Sequence, residues 1–167
     1  EVVDLRSALG AVDITRDVVR VAGPDAVAYL QGQISQDVVR LAAGASGWSF
    51  LLQPAGKVDA WLRVTRVGGD EVLLDVDGGY GEAVVARLRR FLLRTKADVD
   101  PLDWRCVALR GPGAEAAALE ATADVRALAG WPGVEAVDLL GPQVRAPATV
   151  AAVDGAAYES LRIRCGV

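Results

Sequence analysis

The sequence predicts an α+β fold of two similar lobes, each an antiparallel sheet with flanking helices. Three observations predict it. Residues 46–77 alternate apolar and polar side chains in three runs separated by turns, the pattern of an antiparallel meander. The stretches "VVRVAGPDAVAYL" and "CVALRGPGAEAAAL" follow one order, strand, Gly-Pro, helix. At 167 residues, 52% hydrophobic and 24% charged, the chain can bury one substantial core or two small ones and is not disordered. The whole chain, 1–167, is expected to form one domain, with the two lobes dividing at about 1–100 and 101–167.

The elements follow in order. "VVRVAG" (18–23) alternates and stops at a Gly-Pro turn, so it reads as a strand. Asp25 is placed to cap a helix over Ala26 to Gln31, in which Val27 and Leu30 have helical spacing. "WSFLLQ", "VDAWLRVTRV" and "EVLLDVD" are the three meander strands, joined by "PAGK" and "GGD" turns. In the middle strand Val58, Ala60, Leu62 and Val64 share one face, with Asp59, Trp61, Arg63 and Thr65 on the other. "GYGEAVVARLRRFLLRTK" is an amphipathic helix with Val84, Leu88, Phe91 and Leu92 on one stripe and Arg87, Arg89, Arg90 and Arg94 facing outward or to a rim, a solvated face being the plainer reading. Trp104 to Leu109 is a strand that leads through "GPG" into a helix. "VEAVDLL" and "VRAPATV" read as short strands, and "DGAAYESLRIRCGV" as a final helix capped by Asp154.

Composition excludes several classes of function. The net charge of -4 and the absence of a Lys/Arg block argue against direct nucleic-acid binding. No apolar run is long enough for a membrane span, and no signal peptide precedes the first strand. With no histidine, neither Ser-His nor Cys-His catalysis can be assembled within this chain. Cys106 and Cys165 lie far apart and have no metal-ligand spacing, so no metal site is expected and a reducing, cytoplasmic setting is the simplest expectation. The absence of methionine suggests a piece of a longer protein or lost terminal residues.

"YLQGQISQDV" (29–38) concentrates amides in a chain rich in Ala, Val and Leu. Two readings are open. The run forms the edge of a site for a polar heterocycle, since each amide offers donors and acceptors. Alternatively a helix ends at Gly32 and another starts with Ser35 as its N-cap.

Taken in order, "VRVAGPDAVAYLQGQISQDV", "LLQPAGKVDAWLRV", "RRFLLRTKADV" and "YESLRIRCGV" resemble the N-terminal part of the YgfZ family. That family belongs to the folate-binding superfamily of the glycine-cleavage T-protein, an aminomethyltransferase. The resemblance runs from about Gly10 to Val167, with "LQGQISQDV" and "FLLRTK" its more specific motifs. It implies a partly ferredoxin-like, T-protein-like fold that binds tetrahydrofolate or a one-carbon derivative of it. It also implies a role in maintaining iron–sulfur enzymes, with an iron–sulfur client protein as partner and tRNA modification downstream. The family's C-terminal β-barrel and its Lys-Gly-Cys-Tyr-x-Gly-Gln-Glu motif are absent from these residues.

The folate site implied by the resemblance uses Gln33, Trp48, Leu62, Val64 and Arg162. Each residue has a plainer reading. Trp48, Leu62 and Val64 suit a core, Gln33 suits a backbone partner, and Arg162 can pair with Glu159 one turn earlier. Set against the T-protein, Ala60 stands where the catalytic aspartate is expected. Asp59 is one residue earlier and so is expected on the opposite face of the strand. No catalytic residue is therefore assigned, and the chain is expected not to transfer aminomethyl groups. Two alternatives stay open, a folate-dependent one-carbon transferase and an interaction module that has lost its ligand. With no barrel to close the pocket, these residues alone are expected to bind reduced folate weakly.

Overall fold

The computed structural model describes residues 2–167. The first strand is β1 (Gly10–Ile14), followed by β2 (Arg16–Ala22) and the short helix α1 (Ala26–Gln31). The meander is β3 (Ser46–Leu52), β4 (Val58–Arg66) and β5 (Glu71–Asp77), and it leads into α2 (Gly81–Arg90) and β6 (Asp98–Leu102). Then come β7 (Arg105–Arg110), α3 (Ala114–Glu120), β8 (Val125–Leu128), β9 (Ala136–Gly141), β10 (Ala151–Ala152) and α4 (Gly155–Cys165). The fold is α+β, with two five-stranded sheets and few helices.

The chain forms two compact units. The meander unit is Arg16–Asp103, and the split unit joins Glu1–Thr15 to Trp104–Val167. The sequence-based boundary near residue 100 thus lies close to one junction. It does not foresee that β1 leaves the first segment and pairs antiparallel with β7, Gly10 opposite Arg110 and Ile14 opposite Cys106.

In the meander unit the sheet order is β3-β4-β5-β2-β6, antiparallel throughout. Leu62 and Val64 of β4, Val72, Leu74 and Val76 of β5 and Val19 and Val21 of β2 project to one face. There they meet Leu30 of α1 and Val84, Val85 and Leu88 of α2. Apolar spacing in strand and helix selects this packing, because both present one apolar face. Strand β6 escaped the sequence reading because "DVDPL" contains a proline and two aspartates. It is tolerated because β6 is an edge strand, where a missing N–H donor costs little.

In the split unit the order is β10-β1-β7-β9-β8, antiparallel except for the two-residue parallel pair of β1 and β10. Val107 and Leu109 of β7 and Val137 and Leu139 of β9 pack on Ala114 and Ala118 of α3. A second cluster places Ala157 and Leu161 of α4 with Leu5, Trp131 and Ala136.

The repeated Gly-Pro turns are equivalent in atomic detail. Gly23 N donates to Asp70 O and Ala26 N to Gly23 O. Likewise Gly111 N donates to Glu135 O and Ala114 N to Gly111 O. Both glycines have a positive φ, +135° and +112°, open in practice only to glycine. A Cβ would stand 2.5 Å from Lys96 O at Gly23 and 2.3 Å from Ala8 O at Gly111.

Several local expectations are corrected. Asp25 does not cap α1. Its carboxylate accepts from Lys96 N at 2.8 Å while its own N–H donates to Lys96 O. This reciprocal pair draws residues 91–96 away from the helical path, so α2 stops at Arg90 and Arg94 takes a left-handed φ of 59°. Ser35 starts no helix. Its hydroxyl accepts from Phe50 N at 2.9 Å and so holds the loop onto β3. "VRAPATV" is a turn segment with one bridge, Arg145 to Thr122, rather than a strand. Asp154 does cap α4, accepting from Ala157 N at 2.9 Å.

Candidate functional site

The amide run is largely structural. Gln31 Oε1 accepts from Val39 N, Gln36 N donates to Ser49 Oγ, and Ser35 bonds β3. Gln33 is the amide that reaches another element: its Oε1 accepts from Arg87 Nη1 on α2 at 3.1 Å. Arg87 also donates to Leu52 O at 2.5 Å and to Asp59 Oδ2 at 3.1 Å. Its side chain is only 13% exposed, which corrects its assignment to a solvated helix face.

Asp59 is corrected as well. Leu51 pairs with Ala60 and Leu52 with Val58, so Asp59 is the extra residue of a β-bulge. The bulge breaks the alternation, and Asp59 stands beside Ala60 in the cleft under α2 instead of on the opposite face. Its Oδ1 accepts from Gln53 Nε2 at 2.5 Å and its Oδ2 from Arg87.

The other face of the same hairpin is aromatic. Trp48, Phe50 and Trp61 share it, because Trp48 lies opposite Arg63 and Phe50 opposite Trp61 in the ladder. The Trp48 and Trp61 ring centroids are 4.8 Å apart, and Trp61 is 51% exposed. Beneath them lies a buried charge cluster. Arg63, fully buried, donates through Nε and Nη2 to both oxygens of Asp75, at 3.0 and 2.9 Å. Arg16 donates to Asp75 Oδ2 at 2.9 Å and pairs with Asp77 at 2.5 Å. Both guanidinium groups lie against Trp48, at 5.1 Å for Arg63 and 5.6 Å for Arg16. An aromatic pair over neutralised charge can stack a flat ring.

Within the meander unit, the residues of the implied folate site are not gathered in one place. Trp48 is on the aromatic face. Gln33 belongs to the Arg87 network under α2. Leu62 and Val64 have no exposed surface and pack in the meander core, so their role is packing. Arg162 lies in the split unit on α4, where it pairs with Glu159 at 2.9 Å and donates to Val167 O. Sequence reasoning missed Arg63, Asp75 and Trp61 as a group. The available signal was that Arg63 and Asp75 occupy matching positions on adjacent predicted strands.

The split unit has a buried pair of its own. Arg110 Nη2 lies 2.8 Å from Asp138 Oδ1, with the guanidinium 4.2 Å from the Trp131 ring and 5.3 Å from that of Tyr158. Burial raises the Tyr158 pKa above 10.0, with Arg110 opposing the rise and Asp138 adding to it. A raised acid pKa stabilises the fold fully below pH 10, and that contribution is lost as pH climbs through the raised value. In alkaline titration, phenolate absorbance from Tyr158 should develop above pH 10 in the folded protein. Tyr158→Phe should remove its share of that late component and leave the share of Tyr29, whose pKa burial also raises. A Tyr158 signal at the ordinary phenol pH would contradict it.

Among the described residues no group of three or more His, Cys, Asp or Glu is arranged to hold a metal ion. No described helix is long and apolar enough to cross a membrane.

Comparison with known proteins gives consistent matches. Residues 1–149 match the family model of the GCVT N-terminal domain. An uncharacterized protein of Haemophilus influenzae is 33% identical over 94 residues, 56% of this chain and 34% of that protein. An aminomethyltransferase of Rubrobacter xylanophilus is 30% identical over 115 residues, 66% of this chain and 30% of the relative. The chain thus spans about a third of the length of the curated relatives it matches. The crystal structure of glycine cleavage system aminomethyltransferase T from Bartonella henselae superposes with a TM-score of 0.72. Its sequence identity is 23%, and the match covers 83% of this chain and 43% of that one. The shared fold is aminomethyltransferase-like.

Proposed function

The chain belongs to the GCVT N-terminal domain family, and from that premise we propose that it binds tetrahydrofolate, or a one-carbon derivative of it, without itself transferring an aminomethyl group. The observation that carries this reading is the chemistry of the Trp48–Trp61 face. It offers two indole rings in contact, tilted by 34°, and the two carboxylates beside it, Asp75 and Asp77, are both ion-paired with arginine. A pterin or aminobenzoyl ring can lie on such a platform. A carboxylate engaged in this way is a poor candidate for a general base. When bound, a reduced folate supplies the one-carbon carrier, and the protein supplies binding and orientation.

The finer role is service to iron–sulfur enzymes in the cytoplasm, with an iron–sulfur client as partner. Its support is the pair of motifs "LQGQISQDV" and "FLLRTK", which resemble the YgfZ branch. Titration calorimetry with tetrahydrofolate tests the binding. Trp48→Ala should weaken it by roughly 3–10-fold, the worth of one aromatic stacking contact. An aminomethyl-transfer assay should yield no product. Unchanged affinity in the Trp48 variant would remove the platform from the site, and turnover would refute the non-catalytic reading.

One observation favours the second reading, one-carbon transfer. The bulge turns Asp59 into the cleft under α2, where a carboxylate could serve as a base. Against this, both its oxygens already accept hydrogen bonds. Turnover that Asp59→Asn abolishes would decide for the transferase.

A further inference from the structure

The two Gly-Pro turns belong to a repeat that extends into the neighbouring strand and loop. Strand β2 pairs with β6 through Ala22–Asp98 and Val18–Leu102. Strand β7 pairs with β1 through Arg110–Gly10 and Cys106–Ile14, at one constant offset in sequence. The loops that lead into β6 and β1 match too. Thr95 N donates to Leu92 O at 3.2 Å, and Ser7 N to Asp4 O at 3.1 Å. Leu93 therefore corresponds to Leu5, and Arg94 to Arg6.

The two leucines meet different surroundings. Leu5 is 1% exposed and packs with Trp131 and with Ala157 and Leu161 of α4. Arg6 completes that contact, donating through Nη2 to Arg164 O in the last turn of α4 at 3.2 Å. Leu93 is 84% exposed. Arg94 is exposed, and among the described residues its side chain forms no ion pair and no hydrogen bond. The backbone holds Leu93 outward. Arg94 keeps its left-handed φ of 59°, Thr95 N stays on Leu92 O, and Asp25 binds both backbone groups of Lys96. A side chain presented by a fixed loop loses little freedom when it is covered.

We propose that the loop at 91–96 docks an amphipathic α-helix of a partner polypeptide. The helix sets an alanine and a leucine four residues apart on Leu93, as Ala157 and Leu161 of α4 lie on Leu5, and its C-terminal carbonyls on Arg94. Charge complementarity favours that end of a helix. A helix C-terminus carries partial negative charge, and the loop offers it two exposed cations, Arg94 and Lys96. A lipid surface is disfavoured, because membrane-surface binding scales with buried apolar area and Leu93 offers one side chain on a chain of net charge -4.

The probe is a synthetic peptide with the α4 sequence, residues 154–167 with Cys165→Ser, carrying fluorescein at its N-terminus. The full chain is titrated into it and fluorescence anisotropy is read. Saturable one-site binding is expected. Leu93→Asp in the chain should weaken it by roughly tenfold or more, the worth of one buried leucine. Arg94→Gly, which keeps the left-handed backbone and removes the guanidinium, should weaken it by roughly twofold to fivefold. A peptide with Leu161→Asp should not bind. Leu119→Asp, at a leucine 78% exposed on α3, should leave binding unchanged. Circular dichroism confirms that each variant is folded. No saturable binding would overturn the proposal. Binding that survives Leu93→Asp would also overturn it, since the peptide would then be taking the place of α4 on Leu5. An equal loss in Leu119→Asp would overturn it as well, by reducing the effect to added negative charge.

Discussion

Asp75→Ala is expected to destabilise the meander unit by about 3–5 kcal/mol, the cost of removing one partner from a buried ion pair. Asp75 is 2% exposed and serves two arginines, Arg63 through both oxygens and Arg16 through Oδ2. Without it, the Arg63 guanidinium stays behind in a site that water does not reach, with the partly exposed Arg16 beside it. Arg16 retains Asp77, but Arg63, with no exposed surface, loses its carboxylate. With typical domain stabilities of about 5–15 kcal/mol, the variant should lie near the edge of folding at 25 °C. Urea denaturation followed by tryptophan fluorescence reads the shift in midpoint. The double variant Arg63→Met/Asp75→Leu should recover most of the loss, because well-packed apolar side chains often replace a buried pair at little cost. A loss below about 1 kcal/mol for Asp75→Ala would mean that water or another group reaches Arg63 after all.

Gly111→Ala should be comparably damaging, for a reason in the backbone. At φ +112° the residue sits where a side chain is strained by roughly 1–3 kcal/mol, before any contact is counted. The new Cβ would also stand 2.3 Å from Ala8 O and 2.9 Å from Leu5 O. These are backbone atoms, so relief requires moving the chain between the N-terminal segment and β7. Gly130→Ala separates the two causes: φ there is +68° and a Cβ meets nothing within 4 Å, so it should cost only about 1 kcal/mol. Gly23→Ala should behave like Gly111→Ala, since its Cβ would meet Lys96 O at 2.5 Å. Thermal unfolding monitored by circular dichroism tests all three. Equal losses at Gly111 and Gly130 would show that conformation alone, and not the close approach, sets the cost.

The sequence by itself determined the elements whose cause is local. Period-two alternation placed β3, β4 and β5, because a strand with one buried face must alternate. The two Gly-Pro turns marked strand-to-helix junctions, and Asp154 marked the start of α4. Motif order carried the coarser family, that of the GCVT N-terminal domain.

Only the tertiary structure decided which partners those elements find. Periodicity tells which face of an element is buried and says nothing about what lies across from it. Thus β1 pairs with β7 more than ninety residues away, and β6 forms despite Pro101 because its place at the sheet edge tolerates it. Arg87 looks like a surface arginine of an amphipathic helix, yet a bulge at Asp59 and an amide at Gln33 bury it. A bulge shifts the alternation by one residue, and nothing in "GKVDAW" announces it. Within the meander unit, Gln33, Trp48, Leu62 and Val64 take separate places for the same reason. Alternation put Leu62 and Val64 on one face of β4, but only the packing of α1 and α2 made that face the core. The opposite face was left to Trp61 and the charges of Arg63 and Asp75.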